Sequence, residues 1–68
     1  MEQNIHEFIQ TCRIEQMLSI QELAKRSGIS ASHISRIERG KRRPSPETLE
    51  KLAPHLQVDY VKLLEVAN

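Results

Sequence analysis

The chain has 68 residues, a length that allows one small domain and is too short for two. Its single cysteine, Cys12, excludes an intramolecular disulfide, and its three histidines are widely spaced, with no second thiol to complete a metal site. No apolar run approaches the roughly 18 residues of a membrane span, and the polar, acidic start is unlike a secretory signal. We therefore expect residues 1–68 to form a single soluble, cytoplasmic domain with no cofactor, metal or membrane partner.

The net charge of +1 conceals a segregation of charge along the chain. Residues 25–43 contain seven lysines and arginines against one acid, Glu38, a balance of +6. The remainder contains three lysines and arginines against eight acids, a balance of −5. One basic segment on an otherwise acidic body indicates a surface that binds a polyanion, the alternative being a solvated run of charge near a loop.

Helical periodicity predicts five helices, and the first two are delimited by their caps. The first begins at Asn4, which can cap it, and extends to about Gln16. The second follows Ser19, which can form a capping box with Glu22, and ends at Gly28, a residue type suited to a left-handed cap. The apolar stripes expected to face inward on these helices are Ile5, Phe8, Ile9, Cys12, Leu23 and Ala24.

The third and fourth helices are predicted from the same signals. Ser30 caps the third helix, which runs to about Arg39 and is stopped by Gly40. The fourth begins with Ser45 as its cap and Pro46 at the first helical position, where a missing N–H costs nothing. The apolar residues expected to face inward on these helices are Ile34, Ile37, Leu49, Leu52, Ala53 and Leu56.

Pro54 lies inside the pattern of the fourth helix and would remove one backbone hydrogen bond, so we expect that helix to kink or end near Ala53. A fifth helix starts at Asp59. No segment alternates with period two, so the predicted fold class is all-α without strands. The expected core comprises Ile5, Phe8, Ile9, Leu18, Leu23, Ala24, Ile29, Ile34, Ile37, Leu49, Leu52, Leu56, Val58, Val61 and Leu64.

The second helix, the short turn from Gly28 to Ser30 and the third helix together make a helix-turn-helix. Ala24 is small enough for the third helix to cross closely, and Ile29 fills the corner. Ile34 and Ile37 hold the third helix down, which leaves its opposite face free. That face presents Ala31, Ser32, His33, Ser35, Arg36 and Arg39.

The segment ELAKRSGISASHISRIERGK, residues 22–41, resembles the helix-turn-helix of the phage-repressor family, also called Cro-like or XRE-type. The resemblance implies a compact five-helix, lambda-repressor-like DNA-binding domain with the helix-turn-helix in helices two and three. Further residues that match the family layout are Ile5, Ile9, Arg13, Leu18, Ser19, Pro44, Ser45 and the run 49–58.

In such repressors the start of the third helix enters the major groove and touches base edges. The matching residues here are Ala31, Ser32 and His33, with Arg36 one turn further on. Arg36 is the strongest candidate, because a guanidinium can bond guanine O6 and N7 together. The alternative for His33 is an exposed polar residue with no contact to DNA.

The resemblance also implies phosphate contacts on both sides of the reading helix. The N-terminus of helix two offers free N–H groups and a favourable dipole near Ile20 and Gln21. The basic residues after helix three would form the second clamp, although Arg42 or Arg43 could be solvated loop charge instead. The predicted phosphate contacts are Ser19, Ile20, Gln21, Ser30, Ser35, Arg39, Lys41, Arg42 and Arg43.

Arg13 and Glu38 stand where the family layout places a structural ion pair between helices one and three. The chain departs from the family at two positions. Met17 stands where many members have glycine, and because methionine resists positive φ we expect helix one to continue or to turn differently, or Met17 to pack outward at an interface. Ile20 replaces a common glutamine, so only its backbone N–H could serve a phosphate.

These features predict a transcriptional regulator, most simply a repressor that binds a palindromic operator in double-stranded DNA as a homodimer. We expect dimerisation through helix five, with Tyr60, Leu63 and Val66. The alternative is a protein-interaction module that binds a partner protein such as an antagonist. The chain ends directly after helix five, as it would before a linker, so we also consider residues 1–68 as the piece that precedes a C-terminal domain. No enzyme is expected, because no nucleophile–base pair and no phosphate-binding glycine loop appear, and Cys12 lies on an inward stripe.

Overall fold

The computed structural model of the protein describes residues 4–68, in which five helices and no strand occur. The predicted all-α, five-helix fold is confirmed. No helix in this part of the chain has the length and apolarity to cross a membrane. The helices are α1 (Ile5–Glu15), α2 (Ile20–Ser27), α3 (Ala31–Glu38), α4 (Pro46–Leu56) and α5 (Tyr60–Ala67).

Local side-chain caps begin four of these helices, as the sequence predicted. Asn4, Ser19, Ser30 and Ser45 each accept a hydrogen bond from the backbone N–H three residues further on. Each bond satisfies one of the donors that a helix N-terminus leaves unpaired. Asp59 precedes α5 but makes no such side-chain bond, so the start of α5 is held by packing rather than by a cap.

The core lies where α1, α3, α4 and α5 meet, with α2 packed on α3 and α4. Most predicted core residues are buried there, while Phe8, Ala24, Val58 and Leu64 are half-buried at its edge. The fully buried large side chains are Ile9, Leu23, Ile34, Ile37, Leu49, Leu52, Leu56 and Leu63.

The predicted orientation of α5 was wrong at two residues. Val61, predicted inside, is 63% exposed, whereas Leu63, predicted at a dimer surface, is fully buried. Apolar residues occupy six of the eight positions of α5, so its sequence pattern does not define one face. Contacts with α1 and α4 select the face through Leu63, which removes that side chain from any dimer interface.

Helix α4 does not end near Ala53, because it continues through Pro54 to Leu56. The bond that Pro54 cannot make would use the carbonyl of Glu50, and both residues are exposed, so water can serve that carbonyl. Gln57 closes the helix with φ 58°. Its N–H and that of Val58 both donate to the Ala53 carbonyl.

At the turn after α1 the backbone differs from the expectation, while the Met17 side chain lies outward, as one of the alternatives had it. Met17 adopts φ 58°, the left-handed conformation that its side chain was expected to resist. The Met17 N–H donates to the Ile14 carbonyl at 2.9 Å, and the Leu18 N–H donates to the Arg13 carbonyl at 3.2 Å, which is the Schellman pattern. Leu18 is buried while the Met17 side chain is 89% exposed, so burial of Leu18 stabilises the strained turn.

Candidate nucleic-acid interface

The helix-turn-helix is built from α2, α3 and the three residues between them. Gly28 has φ 82° and its N–H closes α2 on the Ala24 carbonyl. The Ile29 N–H donates to the Ser27 hydroxyl at 3.2 Å, and the Ile29 side chain is buried at the corner. With Ile34 and Ile37 fully buried beneath it, α3 is fixed to the core by one side and exposes the other.

The outward face of α3 is a narrow stripe. Ser32, Arg36 and Arg39 are exposed, and their spacing of four and three residues aligns them along one side of the helix. The Arg39 Nε donates to the Ser35 carbonyl at 3.4 Å, which directs its stem along the helix. The flanks of the stripe are the half-buried residues Ala31, His33 and Ser35.

The N-terminus of α2 retains unpaired backbone donors. The Ser19 hydroxyl accepts from the Glu22 N–H at 3.0 Å, and the Glu22 carboxylate accepts from the Ser19 N–H at 3.3 Å, which completes the predicted capping box. Within the described residues, the N–H groups of Ile20 and Gln21 have no hydrogen-bond partner. Ile20 packs its side chain against the core, while Gln21 is exposed.

The end of the basic segment, residues 41–43 after α3, is folded back on the helix that precedes it. The N–H groups of Lys41 and Arg42 donate to the Arg36 carbonyl at 2.8 and 3.3 Å. The Arg43 Nη2 instead donates to the Ala67 carbonyl, 2.6 Å away at the end of α5, where a cation complements the helix dipole. Lys41 and Arg42 are thus free to face an external anion, whereas Arg43 has an internal partner.

The ion pair implied for helices one and three is present. The Arg13 Nε and Nη2 donate to the two carboxylate oxygens of Glu38 at 2.7 and 2.9 Å, and these side chains are only 12% and 2% exposed. A third donor, Nη1, bonds the Leu18 carbonyl at 2.7 Å. One arginine therefore joins α1, α3 and the strained turn before α2, and it directs the only acid of the basic segment inward.

Sequence reasoning missed the role of His6, which it considered only as an isolated metal ligand. The His6 Nδ1 lies 2.8 Å from the Ile37 carbonyl, 31 residues away in sequence, and must donate because a carbonyl can only accept. The ring also faces Gly40, and a Cβ at that glycine would be 3.7 Å from the His6 Cδ2. No local signal identifies this contact, because it depends on how α1 crosses α3.

Cys12 behaves as the small buried apolar residue that its position predicted. It lies in the core at 6% exposure, and burial, with a smaller contribution from the charge of Glu15, raises the pKa of its thiol. A thiol held protonated is a poor nucleophile. Among residues 4–68, no three histidines, cysteines or acids gather at a point where they could hold a metal ion.

The comparisons with known proteins agree with this geometry. The HTH_3 family, described as helix-turn-helix, matches residues 9–63. The transcriptional repressor RghR of Bacillus subtilis (strain 168) is 44% identical over 63 residues, which cover 91% of this chain and 47% of that protein. The uncharacterised regulator RghRB of the same organism is 48% identical over 52 residues, covering 75% and 37%. The chain spans less than half the length of these two relatives.

Solved structures give the same picture. The biofilm master regulator SinR in complex with DNA has a TM-score of 0.82 at 38% identity, covering 88% of this chain and 97% of that one. The restriction-modification controller protein C.Esp1396I has a TM-score of 0.79 at 28% identity, covering 93% and 83%. The resemblance carried by residues 22–41 is thereby confirmed, and the chain belongs to the HTH_3 helix-turn-helix family.

Proposed function

We propose that residues 1–68 act as one sequence-specific DNA-binding domain of a transcriptional regulator, most simply a repressor, with α3 in the major groove. The observation that carries the proposal is the charge of the exposed surface. All seven lysines and arginines of residues 25–43 are exposed, while Glu38, their only acidic neighbour in that segment, is buried against Arg13. A surface that keeps its cations outward and its acid inward suits the phosphates of DNA.

Base reading falls to the exposed stripe of α3. Arg36 has the length and the planar donor pair to bond a guanine edge, and Ser32 lies one turn before it, where its hydroxyl can bond several bases. Ala31 and His33 flank Ser32 but are half-buried. Either side chain can therefore touch a base only where the base edge lies close to the helix surface.

Phosphate contacts fall on either side of that stripe. At the start of α2, the unpaired N–H groups of Ile20 and Gln21 lie at the positive end of a helix, where an anion is favoured. The Ser19 hydroxyl accepts in its cap and can still donate its own proton to a phosphate. On the other side, the cations available to phosphate are Arg39, Lys41 and Arg42, and the exposed Ser30 and the half-buried Ser35 add hydroxyl donors.

A homodimer on a palindromic operator would supply affinity that one small domain lacks. The domain measures 28 × 23 × 22 Å, so two adjacent copies are large enough to place their α3 helices about 34 Å apart, one turn of DNA. We propose the exposed side of α5 as the contact. Val61, at 63% exposure, takes the place proposed for Leu63, and the half-buried Tyr60 and Val66 flank the helix.

The test is selection of bound sequences from random DNA, followed by affinity measurements across a salt series with the mass in solution measured alongside. DNA binding through several phosphates predicts a steep linear fall of log affinity with log salt. A palindromic consensus with a mass of two chains would support the dimer. Absence of any enriched sequence, with a flat salt dependence, would rule out the proposed function.

A second candidate, a protein-binding module, has one specific observation in its favour. SinR is also known in a complex with the protein SinI, and that structure has a TM-score of 0.83 at 37% identity, covering 90% of this chain and 60% of that one. Exposed Ile14, Met17 and Val61 give this chain apolar surface that a protein could cover. Binding of that kind would change little with salt, so the same titration separates the two functions.

A further inference from the structure

We infer that His6 is a positioning residue for DNA binding, because its ring caps the C-terminal end of α3 and so fixes the backbone of Lys41 and Arg42. The inference rests on the proposed function. It assigns a part in phosphate contact to a residue of α1 that lies outside the helix-turn-helix.

The C-terminal end of α3 needs hydrogen-bond donors from outside the helix. The last carbonyls of a helix have no partner within the helix, and each needs a donor from elsewhere. At the end of α3 the Ile37 carbonyl accepts from the Gly40 N–H at 3.1 Å and from the His6 Nδ1 at 2.8 Å. These two donors come from different parts of the chain, one from the turn that follows α3 and one from α1.

The turn after α3 leads directly into residues 41–43, the end of the basic segment. The turn closes through Gly40, whose φ of 75° brings the chain back over the helix. The N–H groups of Lys41 and Arg42 then reach the Arg36 carbonyl, the residue directly before Ile37. The backbone positions of Lys41 and Arg42 therefore depend on the geometry of this one turn. His6 stabilises the turn through its bond to the Ile37 carbonyl.

The His6 ring also faces Gly40, the residue that closes this turn. The ring carbons Cδ2 and Cγ would lie 3.7 and 3.9 Å from a Cβ at this glycine, which is ordinary packing distance. The ring therefore faces Gly40 across a space that one methyl group would fill. Arg13 grips the adjacent residue, Glu38, from two helical turns further along α1, and His6 completes the attachment.

Three substitutions at His6 separate the hydrogen bond from mere bulk. Asparagine carries its amide nitrogen the same number of bonds from Cα as Nδ1, so His6→Asn can keep the bond to Ile37. Glutamine carries the same group one bond further out, which makes His6→Gln the matched control, and His6→Ala removes the donor. Ile9→Val, a core change in the same helix, controls for loss of stability alone.

The experiment measures the affinity of the full chain for its selected sequence and for random DNA, each across a salt series, together with amide hydrogen exchange at Lys41 and Arg42. We expect His6→Ala and His6→Gln to bind both DNAs about three- to tenfold more weakly, the worth of one hydrogen bond. Their ratio of specific to random affinity should not change, and both amides should exchange faster. His6→Asn should restore affinity and exchange, and Ile9→Val should leave both unchanged.

The inference is overturned if His6→Ala binds as the parent does, if His6→Asn is no better than His6→Gln, or if Ile9→Val loses as much affinity. A wild-type chain that selects no DNA would instead overturn the proposed function and this role with it. The exchange rates identify that case, since they report the cap of α3 whether or not DNA binds.

Discussion

The two ends of α3 are held in different ways. At the N-terminal end, Ser30 caps the helix through its own side chain, three residues from the N–H it serves. At the C-terminal end, His6 and Arg13 reach across from α1 to Ile37 and Glu38. The N-terminal end, which is proposed to read bases, is thus fixed by a local cap and stays accessible. The C-terminal end, which leads to residues 41–43, is bonded to a helix distant in sequence. We therefore expect that base contacts and phosphate contacts can be altered separately by mutation.

Removal of Arg13 should have the largest effect on this arrangement. Arg13→Ala leaves the buried Glu38 carboxylate without its partner and the Leu18 carbonyl without its donor, so we expect a loss of about 3–5 kcal/mol in the free energy of unfolding. Chemical denaturation measures it. Arg13→Met with Glu38→Leu should recover most of the loss, and Lys51→Ala, which breaks only an exposed pair, should stay within about 0.5 kcal/mol of the parent. A loss for Arg13→Ala as small as that would show the clamp to be unimportant.

Substitution of Arg36 should affect reading and leave the fold intact. Arg36 is exposed, so Arg36→Ala should keep its unfolding free energy while discrimination between selected and random DNA falls by about 1–3 kcal/mol. Arg39→Ala, one turn later, is the control, since it should weaken binding to every sequence alike and lower the salt slope by about one. Competition binding decides between them. Unchanged discrimination in Arg36→Ala would remove Arg36 from the reading residues.

Loss of the Ser30 cap should weaken the other end of α3 alone. Ser30→Ala removes the acceptor for the His33 N–H and should cost about 1 kcal/mol of unfolding free energy. Ser30→Asp retains an acceptor and should recover the parent value, while Ser32→Ala, at an exposed hydroxyl that caps no backbone N–H, should change it by less than about 0.5 kcal/mol. Hydrogen exchange should quicken at residues 31–34 and not at Lys41. Faster exchange at both ends would mean that the two ends are not independent.

The smallest effects should separate Arg42 from Arg43. Arg42→Ala should lower the salt slope of DNA affinity by about one, as expected for a single phosphate contact. Arg43→Ala should lower it less, because that guanidinium is bonded to the Ala67 carbonyl, and it should instead speed exchange of the Asn68 amide in the last turn of α5. Equal slopes for the two variants would return Arg43 to the phosphate contacts.

The elements that sequence predicted correctly are those governed by local chemistry. The serine and asparagine caps, the positive φ of Gly28 and the core faces of α1 to α4 each depend on residues a few positions apart. The orientation of α5 could not be predicted, since apolar residues surround most of that helix and only its neighbours choose a face. The turn at Met17 was mispredicted because burial of Leu18 and three-way bonding by Arg13 outweigh a local preference.

In the candidate site, too, the features set by local sequence were predictable and those set by long-range contacts were not. The outward stripe of α3 and the donors at the start of α2 follow from helical period and capping, and the exposed positions of Ser32 and Arg36 were predictable on that basis. The bond from His6 to Ile37 and that from Arg43 to Ala67 span 31 and 24 residues. Such contacts depend on the crossing of helices, which no short window of sequence records.

The left-handed methionine before α2 bears on how well the folded chain resists proteolysis. A side chain in that conformation costs about 1–2 kcal/mol, a large share of what a domain of this size can accumulate. Glycine at position 17 would remove that cost. It would also make the unfolded chain more flexible, which would cancel about 0.5–1 kcal/mol of the gain in stability. Because proteases act on the small population of open molecules, we expect Met17→Gly to lower the rate at which a protease cleaves the native chain.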